Sequence, residues 1–347
     1  MLGIKTKKRS GEHIKAMLSK HSMLNREYMI FSSKSFIFLP LTEKPENSLV
    51  QALNKEGAEV CDVDFKKNRK VENYRSILQK SIGARYSKII KSYDILGNIA
   101  IIDAEKKDSK KIAEAVIKAN ARVETVLRKA SAVSGVYRIR KLEYVMGKRN
   151  YIATYRENNA TLKFDTRKTF FSTRLAFERN RIRMLVKNNE NVMVMFAGVG
   201  PFAIEIAKAH PKTHVVGIEI NAYAANNMKE NAKLNRTDNV IAEKGDVRKF
   251  EGKYENFADR IVMPLPMSTF KFVKSASRIA NDKCMVHYYK FSDVDNWKKD
   301  GVEKVVAEFA KNKCKAKLKN IRIVRPYSSK EVEVCMDLMI SKSVKHR

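Results

Sequence analysis

An α/β chain with a doubly wound, Rossmann-like domain is predicted by three observations. Residues 192–196 form an apolar run that reads as a buried strand, and Gly198 and Gly200 follow as a tight turn, with Pro201 suited to the first position of a helix. A second apolar stretch, 215–220, carries Glu219 near its C-terminal end, about 20 residues beyond the glycines, which is the spacing of a nucleotide-binding β-α-β unit. Further strands continue the sheet: one ends at Gly245-Asp246, and another, 259–262, runs into Met263-Pro264-Leu265-Pro266. The two prolines stiffen a loop at the carboxyl edge of the sheet, where ligands of this fold class sit.

Together these residues describe a nucleoside-cofactor site. Glycines let backbone approach a ligand closely, and a carboxylate at the end of the second strand can accept both hydroxyl protons of a ribose. Gly198-Val199-Gly200-Pro201-Phe202-Ala203 also satisfies the dinucleotide fingerprint with its permitted final alanine, so a nicotinamide cofactor stays open. Acids at Glu219 and Asp246 suit a ribose and an adenine amine, and nothing nearby specially serves a pyrophosphate. S-adenosylmethionine is the better match.

At 347 residues the chain has room for two or three domains. No apolar run approaches the roughly 20 residues of a membrane span, and no secretory leader is visible, so a cytoplasmic protein is expected. Four scattered cysteines, Cys61, Cys284, Cys314 and Cys335, with six histidines away from ligand spacing, read as reduced structural thiols, and no metal is expected. Lys and Arg number 70 against 38 Asp and Glu, a net charge of +32. Such a surface repels itself unless a polyanion is its partner, and a cofactor enzyme with this charge is expected to act on RNA.

Residues 1–65 read as a small basic α+β unit with no catalytic signature, either an RNA-docking module or a plain solvated face. A helix starts near Glu12 with Ile14, Met17 and Leu18 on one face, and strands at 28–31 and 35–40 flank a Ser-Ser-Lys turn. A charged linker, 66–70, leads to a middle α+β domain at 72–165 with helices at 76–82 and 86–90. In that domain 95–102 reads as one strand bulged at Gly97, 110–120 as a helix and 123–126 as a strand. Residues 136–140 alternate, which as a strand puts Arg138 and Arg140 on one face, either to meet an anionic or carbonyl-rich ligand or as a plain solvated face.

A hairpin at 151–155 and 160–165 turns at Glu157-Asn158-Asn159. Ser172 is placed to cap the next helix, which keeps Leu175, Ile182 and Val186 on its apolar seam. Glu178 falls off that seam among arginines and by helix geometry alone reads as a surface acid. The cofactor domain, 166–343, closes with a strand at 284–289, a helix at 302–311 and a strand pair at 321–325 and 332–338, ahead of a basic tail from Ser341.

Four segments in this order carry a resemblance: 134–140 (SGVYRIR), 171–179 (FSTRLAFER), 195–202 (MFAGVGPF) and His287-Tyr288-Tyr289. The chain resembles the archaeal and eukaryotic tRNA (guanine-37-N1)-methyltransferases over nearly its whole length. The resemblance implies a class I S-adenosylmethionine methyltransferase domain behind smaller N-terminal domains, tRNA as partner, and a monomer. It implies Glu178 as general base and Arg138 as the group that stabilises the guanine O6. Cofactor contacts are implied at Phe170, Arg174, Phe196, Gly198, Gly200, Glu219, Ile220, Asp246, Val247 and Pro264, and substrate contacts at Arg138, Arg140, Pro264 and Pro266.

Two departures stand out. Pro264-Leu265-Pro266 replaces the Asn-Leu-Pro of many members, and Val194 replaces an Asp often found before Met-Phe-Ala-Gly. Both resemble the archaeal subgroup tied to wyosine synthesis, some of whose members also methylate C7 of 4-demethylwyosine, which implies room for a second activity. The alternatives are a wyosine aminocarboxypropyl transferase, separated by product mass, and a non-catalytic RNA-binding protein, separated by failure to bind the cofactor.

Overall fold

The computed structural model describes residues 1–25, 27–67, 74–83 and 93–342, so the expected helix at 86–90, part of the linker and the last residues of the tail lie outside it. The chain forms two compact units, Met1–Ile77 and Leu78–Arg347.

In the first unit, β1 (Leu2–Lys7), α1 (Gly11–Lys20), β2 (Phe31–Ser32), β3 (Phe36–Pro40), α2 (Asn47–Lys55) and β4 (Ala58–Asp62) build a four-stranded sheet of order β2-β3-β1-β4. Ile14 and Leu18 of α1 and Leu53 of α2 bury against Ile4, Leu39 and Ala58 of the sheet. The first strand hides in the sequence among lysines. It buries Ile4 and Thr6 while Lys5 turns outward toward Glu59.

Helix α3 (Tyr74–Ile82) precedes a second sheet of β5 (Tyr93–Leu96), β6 (Ile99–Ile102), β7 (Thr125–Lys129) and β8 (Leu142–Gly147), with α4 (Ser109–Ala119) connecting the parallel pair β6 and β7. The single bulged strand expected at 95–102 is instead the hairpin β5–β6. Gly97 takes φ +63° at its turn, and a Cβ there would stand 1.8 Å from the carbonyl oxygen of Thr154, so only glycine fits. The next hairpin, β9 (Ile152–Glu157) and β10 (Ala160–Asp165), turns as expected through Asn158 and Asn159, both at positive φ.

The remainder is a three-layer domain. Helix α5 (Ala176–Leu185) leads into β11 (Asn191–Met195), α6 (Pro201–Ala209), β12 (His214–Glu219), α7 (Ala222–Asn235), β13 (Val240–Lys244), β14 (Ala258–Met263), α8 (Val273–Ile279), β15 (Ala280–Asp293), α9 (Val302–Lys311), β16 (Cys314–Pro326) and β17 (Glu331–Lys342). Strand order is β13-β12-β11-β14-β15-β17-β16, parallel through β15, with β17 antiparallel to both its neighbours. This is the Rossmann-like architecture the sequence predicts. Parallel strands covered on both faces are apolar throughout, and here Met193, Ile218 and Ile261 face one layer while Val194, Val215 and Val262 face the other.

Two side-chain amides join the β9–β10 hairpin to this domain. Asn231 of α7 accepts from the Lys163 amide at 2.7 Å and donates to the carbonyl of Val199 at 3.1 Å, and Asn235 brackets Thr161 from both sides. The hairpin is thereby tied to the glycine turn that follows β11.

Candidate active site

Where β11, β12, β13 and β14 end, their loops enclose a cavity of 330 Å³. Phe196, Gly198, Glu219, Ile220, Asp246, Val247 and Pro264 line it, together with Phe170 and Arg138 from the preceding segments. Phe196 holds φ +57°, a conformation that costs a bulky residue about 1–3 kcal/mol and that tends to persist only where a site requires it. A Cβ on Gly198 would meet nothing within 4 Å, so the space beside that backbone is open.

Glu219 sits at the centre of this edge. Its carboxylate accepts from the amides of Gly198 and Asn221, each at 2.8 Å. Burial pushes its pKa up against those two bonds. Glu219 lines the cavity, and a carboxylate there has acceptor capacity of the kind a ribose needs. Asp246 caps the turn after β13 and is held below its usual pKa chiefly by Arg248, whose guanidinium also lies 5.5 Å from the ring of Phe272. Phe272, Asn221, Arg248, Tyr137 and Leu265 also line it. No sequence signal singled out Phe272, which arrives from a 3-10 turn far from the glycine motif.

A second cavity of 420 Å³ has Arg138 and Phe170 in its wall as well. Arg140, Arg174, Lys129, Arg325 and Tyr327 make its lining cationic and partly aromatic. Arg174, expected at the cofactor, belongs to this second cavity instead and pairs with Asp94 at 3.6 Å. Arg140 also lines it, whereas Gly200 and Pro266 line neither cavity. Gly200 serves packing: at φ +87° a Cβ would meet Met228 Cγ at 2.6 Å.

Residues 136–140 are not the expected strand but a tight turn closed by a bridge between Ser134 and Ile139, with Arg138 at φ +53°. Alternation does not share a face in a turn, and it is the two positive-φ residues, Gly135 and Arg138, that carry Arg138 to the cavity wall. There its guanidinium carbon stands 4.9 Å from the Phe170 ring centroid. Its Nε is buried without a hydrogen-bond partner, and burial lowers its pKa while Glu333 opposes that shift. Ser172, expected as a helix cap, makes no side-chain capping bond, and its carbonyl accepts from Arg179 instead.

Glu178 is likewise not a surface acid, being only 2% exposed. Arg181 grips it with Nε at 3.0 Å and Nη2 at 2.7 Å, the Tyr289 hydroxyl donates to it at 2.7 Å, and Arg322 lies 3.6 Å away. It lines neither cavity. Tertiary contacts from β15, β16 and β17 bury this acid, and its own helix carries no sign of them. The same network runs on through Arg181 to Asp337, from Asp337 to His287 Nδ1 and from His287 Nε2 to Arg260, which pairs with Glu190. Burial pushes Asp337 up, but hydrogen bonds from His287 and Arg181 outweigh it and hold the carboxylate well below its usual range.

Comparison with known proteins places this geometry. The family model for the TRM5/TYW2 methyltransferase domain matches residues 153–321, that for the tRNA methyltransferase 5 N-terminal domain matches 3–49, and that for the TYW2 N-terminal domain matches 74–150. The chain is 32% identical over 348 residues to the tRNA (guanine(37)-N(1))-methyltransferase Trm5b of Pyrococcus abyssi, covering 98% of this chain and 99% of the relative. It is 31% identical over 252 residues to the tRNA (guanine(37)-N(1))/4-demethylwyosine(37)-methyltransferase Taw22 of Nanoarchaeum equitans, covering 58% and 84%. The solved structure described as the complex of aTrm5 and tRNALeu superposes with a TM-score of 0.67 at 31% identity, over 98% of this chain and 99% of that one.

Proposed function

The chain belongs to the tRNA (guanine(37)-N(1))-methyltransferase family, and from that premise we propose that it methylates N1 of guanosine 37 in tRNA. Its cofactor is S-adenosylmethionine, which when bound supplies a methyl group on a sulfonium whose sulfur keeps the bonding pair as the methyl leaves. The residues present fit it: Glu219 for the ribose, Ile220, Val247 and Phe272 around the adenine, and the open backbone of Gly198 beside the amino-acid tail.

The observation that carries this reading is the shared wall. Arg138 and Phe170 border both the cofactor cavity and the cationic second cavity, so a base held in the second and a methyl donor held in the first would meet beside those two side chains. Guanine N1 bears a proton, and the new N1–carbon bond forms only as that proton leaves. Glu178 is the acceptor the family resemblance implies: Arg181 and Tyr289 orient its carboxylate, and because it lines neither cavity it meets N1 only once a bound base displaces Arg322. Negative charge then gathers on O6, where Arg138 supplies fixed compensation, its unpartnered Nε free to donate. The target base leaves the anticodon stack to get there, at a cost of a few kcal/mol.

Incubation of purified protein with unmodified tRNA and S-adenosylmethionine, followed by mass spectrometry of nucleoside 37, tests the reading. One added methyl at N1 supports it, and an unmodified guanosine with intact cofactor binding sinks it.

A second activity, at C7 of 4-demethylwyosine, is favoured by one observation. It is the 31% identity to the Nanoarchaeum equitans relative named for both guanosine 37 and 4-demethylwyosine, and Pro264, at the rim of the cofactor cavity, stands where many family members carry an amide side chain. Transfer to guanosine but not to tRNA bearing 4-demethylwyosine rejects it. We further read the chain as three domains, 1–65, 72–165 and 166–343, and as a cytoplasmic monomer. Among the described residues no helix is long and apolar enough to cross a membrane.

A further inference from the structure

Strand β16 is the last strand of the seven-stranded sheet and among the described residues pairs only with β17. Five of its polar residues stand opposite alternate residues of β17: Lys315 opposite Ser341, Lys317 opposite Met339, Asn320 opposite Asp337, Arg322 opposite Cys335 and Arg325 opposite Glu333. Strand β17 pairs with β15 residue for residue without a break, so its odd-numbered residues share one face, and the five residues of β16 share it too. Simple alternation does not produce that row. The steps from Lys317 to Asn320 and from Arg322 to Arg325 each span three residues, and a register shift at each step inserts the extra residue that restores the phase. Without the first shift, Asn320 and Arg322 would turn toward the opposite face, where Ala316, Leu318 and Ile321 pack on the core.

The row is graded. Lys315 and Lys317 at its outer end are exposed, as is Lys319 at the first bulge, and none of the three has an ion-pair partner among the described residues. Arg322 is 30% exposed and Arg325 19%, and Arg325 lines the second cavity together with Arg138. Beside the row, Phe177 of α5 is 72% exposed, with the Arg322 guanidinium 5.5 Å from its ring centroid. Unpaired cations leading to a pocket, with an exposed aromatic ring alongside, match the chemistry of a single-stranded polynucleotide: phosphates track the charges and a base stacks on the ring.

We infer that the outer cations of β16, with Phe177, form a track that guides the phosphodiester backbone of the substrate RNA beside the target nucleotide toward the second cavity. The inference rests on the reading of the chain as a tRNA enzyme. Lysines on an edge strand have a plainer use, since charge of either sign keeps sheet edges from pairing with another chain.

Binding of an unmodified tRNA transcript to the full chain, measured from 50 to 200 mM salt, separates the two. Lys315→Gln/Lys317→Gln/Lys319→Gln is expected to weaken binding about 10- to 100-fold at the low-salt end and to flatten the salt slope by about 0.7 for each phosphate left without its lysine. Lys315→Arg/Lys317→Arg/Lys319→Arg keeps every charge and is expected to bind as wild type does. Lys315→Glu/Lys317→Glu keeps the edge charged against self-association and is expected to bind tRNA more weakly still. Unchanged S-adenosylmethionine affinity by calorimetry verifies the fold in each case. A folded glutamate variant with wild-type affinity and slope overturns the track and leaves edge protection alone. If wild-type protein methylates no tRNA, the functional reading itself has failed, a different outcome.

Discussion

The hydroxyl of Tyr289 donates to a carboxylate oxygen of Glu178 across 2.7 Å. Arg181 contacts both oxygens of the same carboxylate, so an acid on α5 is fixed from its own helix and from strand β15 at once. Tyr289→Phe removes one hydrogen bond to a charged acceptor, worth about 1.5–3 kcal/mol. The expected outcome is a fall in kcat of roughly ten- to a hundredfold with little change in the KM for tRNA, read from single-turnover methylation. A variant with wild-type kcat would show that the orientation of Glu178 does not limit the reaction.

Glu178→Gln keeps the shape and removes the proton acceptor. General-base catalysis contributes about 10²–10⁴-fold, so kcat is expected to drop by that factor while tRNA affinity stays within a few-fold. Glutamine removes one of the two carboxylates that Arg181 pairs with and leaves Asp337, and a melting curve should accompany the kinetics to separate lost chemistry from lost stability.

Arg138 is held over Phe170 with its Nε unpartnered. Lysine keeps the charge but not the planar fork. Arg138→Lys is therefore expected to lower kcat by roughly 10²–10³-fold, the range for one electrostatic donor, with S-adenosylmethionine affinity by calorimetry near wild type. Loss of both in parallel would mean that Arg138 mainly supports the cofactor cavity.

The glycine motif, the acids of the second and third strands and the strands themselves were legible because a parallel sheet prints its burial directly as apolar runs. Burial of Glu178 was not, since the partners Tyr289, Arg181 and Arg322 lie on three elements and its own helix shows only a cationic surface. The turn at Arg138 was misread for a related reason: five alternating residues fit a strand, and only the positive φ at Gly135 and Arg138 reveals a turn. Arg174 went to the wrong cavity because a motif gives a neighbourhood and not the side of a wall.

Glu205 offers a test of a different kind. It is 1% exposed beside Glu157, Arg179, Tyr155 and Asn158, and burial followed by the Glu157 carboxylate raises its pKa to about 9. The folded pKa lies above the unfolded one, so the folded chain holds the extra proton. Its contribution to stability is fully present below about pH 4.5 and is lost as pH rises through the folded value near 9. Glu205→Gln stays neutral and can still accept from Asn158. The variant is expected to gain on wild type by about 1–3 kcal/mol between pH 6 and 9, a few degrees in Tm. Parallel Tm curves for the two proteins across that range would show that Glu205 is charged in the native state.

Asn231 links the hairpin to the cofactor turn through two bonds, one from the Lys163 amide and one to the Val199 carbonyl. Both partners are backbone groups, and Asn231 itself is 1% exposed. Asn231→Ala leaves the part-buried Lys163 amide and the buried Val199 carbonyl without this partner, the buried one costing about 1–3 kcal/mol and the other less, so a loss of roughly 1–4 kcal/mol is expected in chemical denaturation. Because Val199 lies between Gly198 and Gly200, the loosened turn should also weaken S-adenosylmethionine binding several-fold at temperatures where the variant is still folded. Asn231→Asp separates the two bonds: its carboxylate still accepts from Lys163 but cannot donate to Val199. If cofactor affinity falls in Asn231→Ala and stays at wild-type level in Asn231→Asp, the turn does not depend on the Val199 bond, and the hairpin contact alone transmits the effect.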